Sequence, residues 1–230
     1  MTTPDTAEPT EEIKAFSIKD CALVALATGK KVQQLQEFRN IISEIDPASI
    51  YHHFWGGLLQ PRFEEREYNN DFAAWIQHGI HDVVLAERLS ALAPTSFSDL
   101  EALRWEIIEL IDSRMDEVEQ FAWMRATKQF EFVRSQIVVF DTKKQLRHPN
   151  ELISAVTKLS ISSIFYHFID ARRRTPHGSD DFSDWLSAYG DEFTLLHDRL
   201  ASIDPYFGSL SELRERLAML FTSYFEESAQ

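Results

Sequence analysis

The chain has 230 residues, 44% of them apolar and 17 of them Phe, enough for a substantial core in one large domain or two ordinary ones. A net charge of −14 repels phosphate backbones at long range and argues against nucleic acid as a partner. No stretch approaches the ~20 apolar residues that span a bilayer, and a lone Cys21 excludes an intramolecular disulfide and fits a reducing compartment, so a cytoplasmic location without membrane contact is expected.

In chain order, residues 1–12 are polar and acidic with two prolines and read as a disordered lead-in. Phe16-Ser17-Ile18-Lys19 alternates apolar and polar, and Leu23-Val24-Ala25-Leu26 is apolar throughout, as in a buried strand. Lys19-Asp20 between the two runs predicts a hairpin, with Thr28 at the strand end or capping the next helix. Val32, Leu35, Phe38, Ile42 and Ile45 then have helical spacing. Asp46-Pro47 suits the start of a short helix carrying Ser49-Ile50-Tyr51-His52-His53-Phe54. Asn70 or Asp71 caps a longer helix with a buried stripe of Phe72, Trp75, Val83, Ala86 and Leu89. A last helix starts near Ser98 and runs through Met115.

The pattern then recurs. Phe130, Phe132 and Ile137-Val138-Val139-Phe140 repeat the strand signals around polar Arg134-Ser135-Gln136. Ser163-Ile164-Phe165-Tyr166-His167-Phe168 repeats the His-Phe helix, and Asp181-Phe182-Ser183-Asp184-Trp185 repeats Asp71-Phe72-Ala73-Ala74-Trp75. The sequence offset is 114 up to the His-Phe pair and 110 to 111 beyond it. The ordered matches predict an internal duplication, repeat 1 over residues 13–126 and repeat 2 over 127–226. Each unit reads β-β-α-α-α-α. Joining the hairpins in a four-stranded antiparallel sheet predicts a predominantly helical α+β fold, one pseudo-twofold body rather than two beads.

These motifs, with Ala86-Glu87-Arg88-Leu89 in the first half and Leu213-Arg214 in the second, resemble a prokaryotic family of unknown function, over nearly the whole span from Phe16 to Phe225. The resemblance implies a shared fold and brings no established activity, cofactor or catalytic residue.

The residues themselves offer several candidate sites. His53 and His167 each follow a serine (Ser49, Ser163) by four positions, so Ser and His share a helix face. Such a pair is consistent with acid–base or nucleophilic chemistry, but no glycine-bounded elbow surrounds either serine, and a packed, locally bonded histidine is the favoured reading. Asp71 and Asp181 read as helix caps. Arg88, Arg199, Arg104 and Arg214 read as salt-bridge partners of those aspartates or of helix C-termini, with an anion site between the halves as the alternative. Arg172-Arg173-Arg174 stands out in so acidic a chain, either as a loop paired with glutamates of the first half's loop or as a dock for an anionic ligand. His78 and His81, near His52 and His53, are weak metal candidates without a motif such as Glu-x-x-His. Trp55-Gly56-Gly57 occurs in the first half alone. No cofactor is expected. The leading expectation is a non-enzymatic binding or regulatory protein with a protein partner. The alternative is an enzyme or sensor for an anionic small metabolite held between the repeats.

Overall fold

The computed structural model describes residues 13–59, 67–175, 177–205 and 208–227; the lead-in at 1–12 and most of the loop at 60–67 lie outside them. Two long strands, β1 (Phe16–Gln34) and β2 (Arg125–Leu146), pair antiparallel from Phe16 opposite Leu146 to Gln34 opposite Arg125. Around this ribbon lie α1 (Leu35–Glu44), α2 (Pro47–Trp55), α3 (Asp71–Trp75), α4 (Val83–Ser90) and α5 (Leu100–Glu117) from the first half. The second half supplies α6 (Leu152–Val156), α7 (Ile161–Ile164), α8 (Asp181–Ser187), α9 (Thr194–Ala201) and α10 (Leu210–Glu227). The predominantly helical α+β class with one small antiparallel sheet is therefore present.

The hairpins are not. Each half contributes one continuous strand, and the sheet has two strands rather than four. The segments read as turns, Lys19-Asp20 and Arg134-Ser135-Gln136, lack the Gly, Pro or Asn-Gly chemistry that reverses a chain. They stay extended because their polar groups are bonded from outside the ribbon. Thr28 and Thr142 also sit inside the strands. Their hydroxyls donate to Phe132 O at 2.7 Å and to Ile18 O at 2.6 Å across the ribbon, next to bulges where Gly29 (φ 77°) and Lys143 (φ 62°) turn left-handed.

The strands are exchanged between the halves. Phe16 of β1 packs on Phe182, Trp185 and His167, and Trp185 Nε1 donates to Lys14 O at 2.9 Å. In mirror fashion Phe130 and Phe132 of β2 pack on Phe38 and His53, Phe130 also meeting Phe72 and Trp75, and Trp75 Nε1 donates to Lys128 O at 2.7 Å. Apolar residues of both halves consequently form one contiguous cluster, in which Phe38, Phe72, Phe132, Phe165, Phe182 and Phe221 are fully buried. A two-stranded ribbon is marginal by itself; here helices of both halves bury most of its ends.

Helix starts follow the sequence closely. Asp46 accepts from Ala48 N and Ser160 from Ser163 N, as their positions imply. Asn70 and Asp180, not Asp71 and Asp181, are the caps of α3 and α8. Asn70 accepts from Ala73 N and donates to Leu89 O, whereas Asp180 spends both oxygens on Ser183. Burial raises the Asp180 carboxyl above the ordinary range, against the bonds from Ser183 and the charge of Arg172. An acid raised on folding contributes stability at low pH that is lost as pH rises through its folded pKa. Asp180→Asn keeps an equally good cap and removes that loss. It is expected to raise Tm by roughly 2–4 °C at neutral pH, the size of a 1 kcal/mol change in a chain this long, with the gain vanishing below about pH 4. Thermal melts of both proteins at pH 4 and pH 7 check this; an equal effect at both pH values would rule out the buried charge as the cause.

Candidate functional site

The Ser-x-x-x-His pair occurs twice, once on the helices of each half. On α2, Ser49 and His53 lie one turn apart and face the outer edge of β2. Ser49 Oγ donates to Val133 O at 2.8 Å, and Val133 N donates to His53 Nε2 at 3.2 Å. One helix face thus satisfies both main-chain groups of a single strand residue, as a neighbouring strand would. The second half does the same on β1. Ser163 Oγ donates to Lys19 O at 2.8 Å, and Lys19 N donates to His167 Nε2 at 2.9 Å. Both histidines lie in unbroken helical stretches, His167 in a π turn (Phe165–Ile169) that continues α7.

The bonding also defines each tautomer. A backbone N–H can only donate, so Nε2 is the acceptor and Nδ1 carries the proton. That Nδ1–H meets a carboxylate: Asp71 Oδ2 at 3.0 Å from His53 and Asp181 Oδ2 at 2.7 Å from His167. This is the role of Asp71 and Asp181 in place of capping. With the serines at 0% and 2% exposure and the histidines at 4% and 2%, no reactant reaches either pair without displacing a strand.

A second cluster lies where the halves meet; its arginines stand out in the sequence, whereas its acid, Asp170, does not. Asp170, at 1% exposure, follows the His167 turn and accepts from Tyr51 Oη at 2.8 Å, Arg173 Nε at 2.8 Å and Arg174 Nε at 2.9 Å. Arg174 also donates to Asp181 Oδ2 at 3.0 Å and to Tyr166 O at 2.9 Å, its guanidinium 3.9 Å from the Tyr166 ring centre. Arg173 lies over Tyr51 at 4.6 Å and Arg172 over Phe168 at 5.1 Å. Burial raises the Tyr51 hydroxyl well above its usual range, and the Asp170 charge adds to it. Burial opposes the charge on Arg174, but Asp181 and Asp170 outweigh it and raise the guanidinium further. Cys21 nearby is pushed up to about 12 by burial and by Asp170, so it is no reactive thiolate. The sequence signal was the mismatch at Trp55-Gly56-Gly57: at the 114 offset, Gly56 corresponds to Asp170. A side chain at Gly56 would lie 2.8 Å from His52 Nδ1, so the ring of His52 excludes an acid there.

The other candidates lie apart. Arg88 pairs with Glu117 at 2.8 Å and Arg199 with Glu227 at 3.0 Å, on the surface and not with the expected Asp71 and Asp181. Arg104 donates to Ile42 O and to Ile45 O at the end of α1, and Arg214 donates to Leu159 O after α6, so both close helix C-termini. His78 pairs with exposed Glu67 at 3.0 Å, and His81 is an exposed residue in a left-handed turn (φ 64°). Among the described residues, the group of potential metal ligands within 4.8 Å of one another is instead His52, His53 and Asp71. It does not fit an ion. A metal on His53 Nδ1 would drive the proton to Nε2, which faces the Val133 N–H, so His53 could ligate only by giving up its bond to the strand. Burial and the neighbouring His53 lower the pKa of His52. No helix among the described residues is long and apolar enough to cross a membrane.

The same architecture occurs in a solved structure from Thermoproteus tenax, described as that of OrfY. It matches with a TM-score of 0.80 at 25% identity, over 91% of this chain and 95% of that one. No curated protein matches the chain. The shared fold and the motifs that build it meet in one assignment: residues 13–222 match the family of unknown function DUF5752, and the chain belongs to that family.

Proposed function

We propose that the chain is an intracellular, non-enzymatic binding or regulatory protein built from two copies of one unit. One observation carries this reading. The groups best suited to chemistry, His53 and His167, have both ring nitrogens committed, one to a strand edge and one to a carboxylate. An acid–base catalyst needs one nitrogen open to substrate. The arginines nearest to them are committed as well, Arg173 to Asp170 and Arg174 to Asp170 and Asp181. The apolar middle of the ribbon, with Val24, Val138, Val139 and Phe140, is among the surfaces left open to solvent, and it is suited to a macromolecule more than to a metabolite.

The alternative, an enzyme or sensor for an anionic small metabolite between the repeats, would have to use Arg172, Arg173 or Arg174. Thermal melts with a sugar phosphate, a nucleoside triphosphate and divalent cations separate the two, because a ligand of the native state raises its Tm. The expected result is no compound-dependent shift. A rise of more than about 5 °C that disappears in a folded Arg174→Gln variant would replace the binding-protein reading with the metabolite one.

A further inference from the structure

Between its bonded ends the ribbon presents an uncharged, solvent-facing surface. No residue from Cys21 to Gly29 or from Ser135 to Phe140 carries a charge. Within these stretches Val24, Val138, Val139 and Phe140 are 42%, 38%, 44% and 50% exposed. The register pairs Ala22 with Val138, Val24 with Gln136 and Asp20 with Phe140, so Ala22, Val24, Val138 and Phe140 share the open face with Gln136, and Asp20 borders it at the Phe140 end. Leu23 and Ile137 point the other way, against the core.

The strand edge is open at the same place. Val133 directs its N–H and C=O outward, where α2 binds them. Alternation along β2 then points the main-chain groups of Ser135, Ile137 and Val139 outward too; Ser135 is buried beneath His52 of α2, whereas Ile137 and Val139 are more exposed and their outward groups have no hydrogen-bond partner among the described residues. Helix α2 supplies the missing strand at Val133 and covers Ser135, and among the described residues nothing supplies it at Ile137 and Val139. Open edges of apolar strands are sites where a further strand adds.

Charge selects the occupant. β1 and β2 together carry eight Lys or Arg against three Asp or Glu, in a chain whose net charge is −14. Lys30 and Lys31 bracket one end of the apolar strip, and Lys143 and Lys144 the other; Lys31 is paired with Glu131 and Lys143 with Asp141, which leaves Lys30 and Lys144, of these, without an ion pair among the described residues. A second copy meeting this one ribbon to ribbon would bring like charges together. A nucleic acid has no main-chain amides to match the open edge. We infer that the Ile137–Val139 edge of β2 takes a third strand from a partner protein, an extended segment of alternating apolar residues with acidic ends. The inference rests on the binding-protein reading above and names its partner's chemistry.

Fluorescence anisotropy on the full chain tests it, using a labelled peptide of alternating Val and Thr with two Glu at each end. The acidic peptide is expected to bind. A version with Lys in place of Glu, and one N-methylated at alternate amides, should each bind at least about tenfold more weakly. Val139→Pro removes an outward N–H from the edge and should weaken binding about tenfold, whereas Val139→Thr, which keeps it, should stay within about threefold. If Val139→Pro does not fold, the N-methylated peptide carries the same comparison on the unaltered protein. Absence of binding, equal binding of the N-methylated or Lys-ended peptide, or displacement of the peptide by single-stranded DNA would overturn the proposal. So would a wild-type dimer that Val139→Pro dissociates, since the occupant would then be a second copy. The metabolite melts decide the broader reading independently, so a failed peptide assay beside unshifted melts removes this inference alone.

Discussion

His53→Ala is expected to cost about 4 kcal/mol of folding stability, among the largest effects of any single substitution in this chain. The change leaves Val133 N–H without its acceptor and strips Asp71 of a bonded neighbour. It also opens a cavity among Phe72, Phe130 and Phe132, whose rings surround the imidazole. An unsatisfied buried donor contributes roughly 1–3 kcal/mol of this and the lost packing most of the rest. Ser49→Ala removes only the bond to Val133 O and should cost about 1 kcal/mol. His167→Ala should behave as His53→Ala does, because its contacts on Lys19, Asp181, Phe16 and Phe182 are of the same kind. Urea unfolding of the single and double variants measures these values. A loss below about 1 kcal/mol for His53→Ala would show that the imidazole does not hold the strand edge.

Asp170→Ala should cost about 2–3 kcal/mol, less than breaking a fully buried ion pair. The carboxylate is the shared acceptor of Tyr51, Arg173 and Arg174, and the first of these comes from the other half of the chain. The side chains of Arg173 and Arg174 are 45% and 32% exposed, so both can rehydrate once Asp170 is gone, which limits the loss. Tyr51 cannot, and its hydroxyl is left buried without an acceptor. Asp170→Asn keeps an oxygen for Tyr51 and should recover part of the loss. Calorimetric melts of the two variants provide the measurement. If Asp170→Ala and wild type melt together, the cluster is a surface charge pattern rather than a join between the halves.

The candidate residues illustrate how far a one-dimensional pattern reaches. Ser49 and His53 share a helix face at four-residue spacing, and that much was legible. Their joint target, the two main-chain groups of Val133, lies 80 or more positions away and has no side-chain signature. The same holds for Arg104, whose helix-terminal role was expected while its carbonyl partners Ile42 and Ile45 were not. The hairpin expectation failed for a related reason. Lys19-Asp20 and Arg134-Ser135-Gln136 look like turns when only neighbours along the chain are considered. Bonds from α2 and α7 to the adjoining strand edges remove the need to turn. Asp170 stayed hidden because its partner Tyr51 is 119 residues away, though the unmatched Gly56 marked the position where the halves differ.

The sequence by itself determined most of the helical spacing (Val32, which lies in β1, and exposed Val83 excepted), most of the helix starts, the predominantly helical α+β class and the positions at which the halves agree. These depend on short-range periodicity and on caps satisfied within a turn. Tertiary structure alone decided that each strand serves the opposite half's helices, that the histidines close strand edges, and that the middle of the ribbon is left open. Those outcomes depend on which main-chain donors and acceptors lie without a partner once the core has packed. Backbone groups are the same at every residue, so no amino-acid pattern announces them.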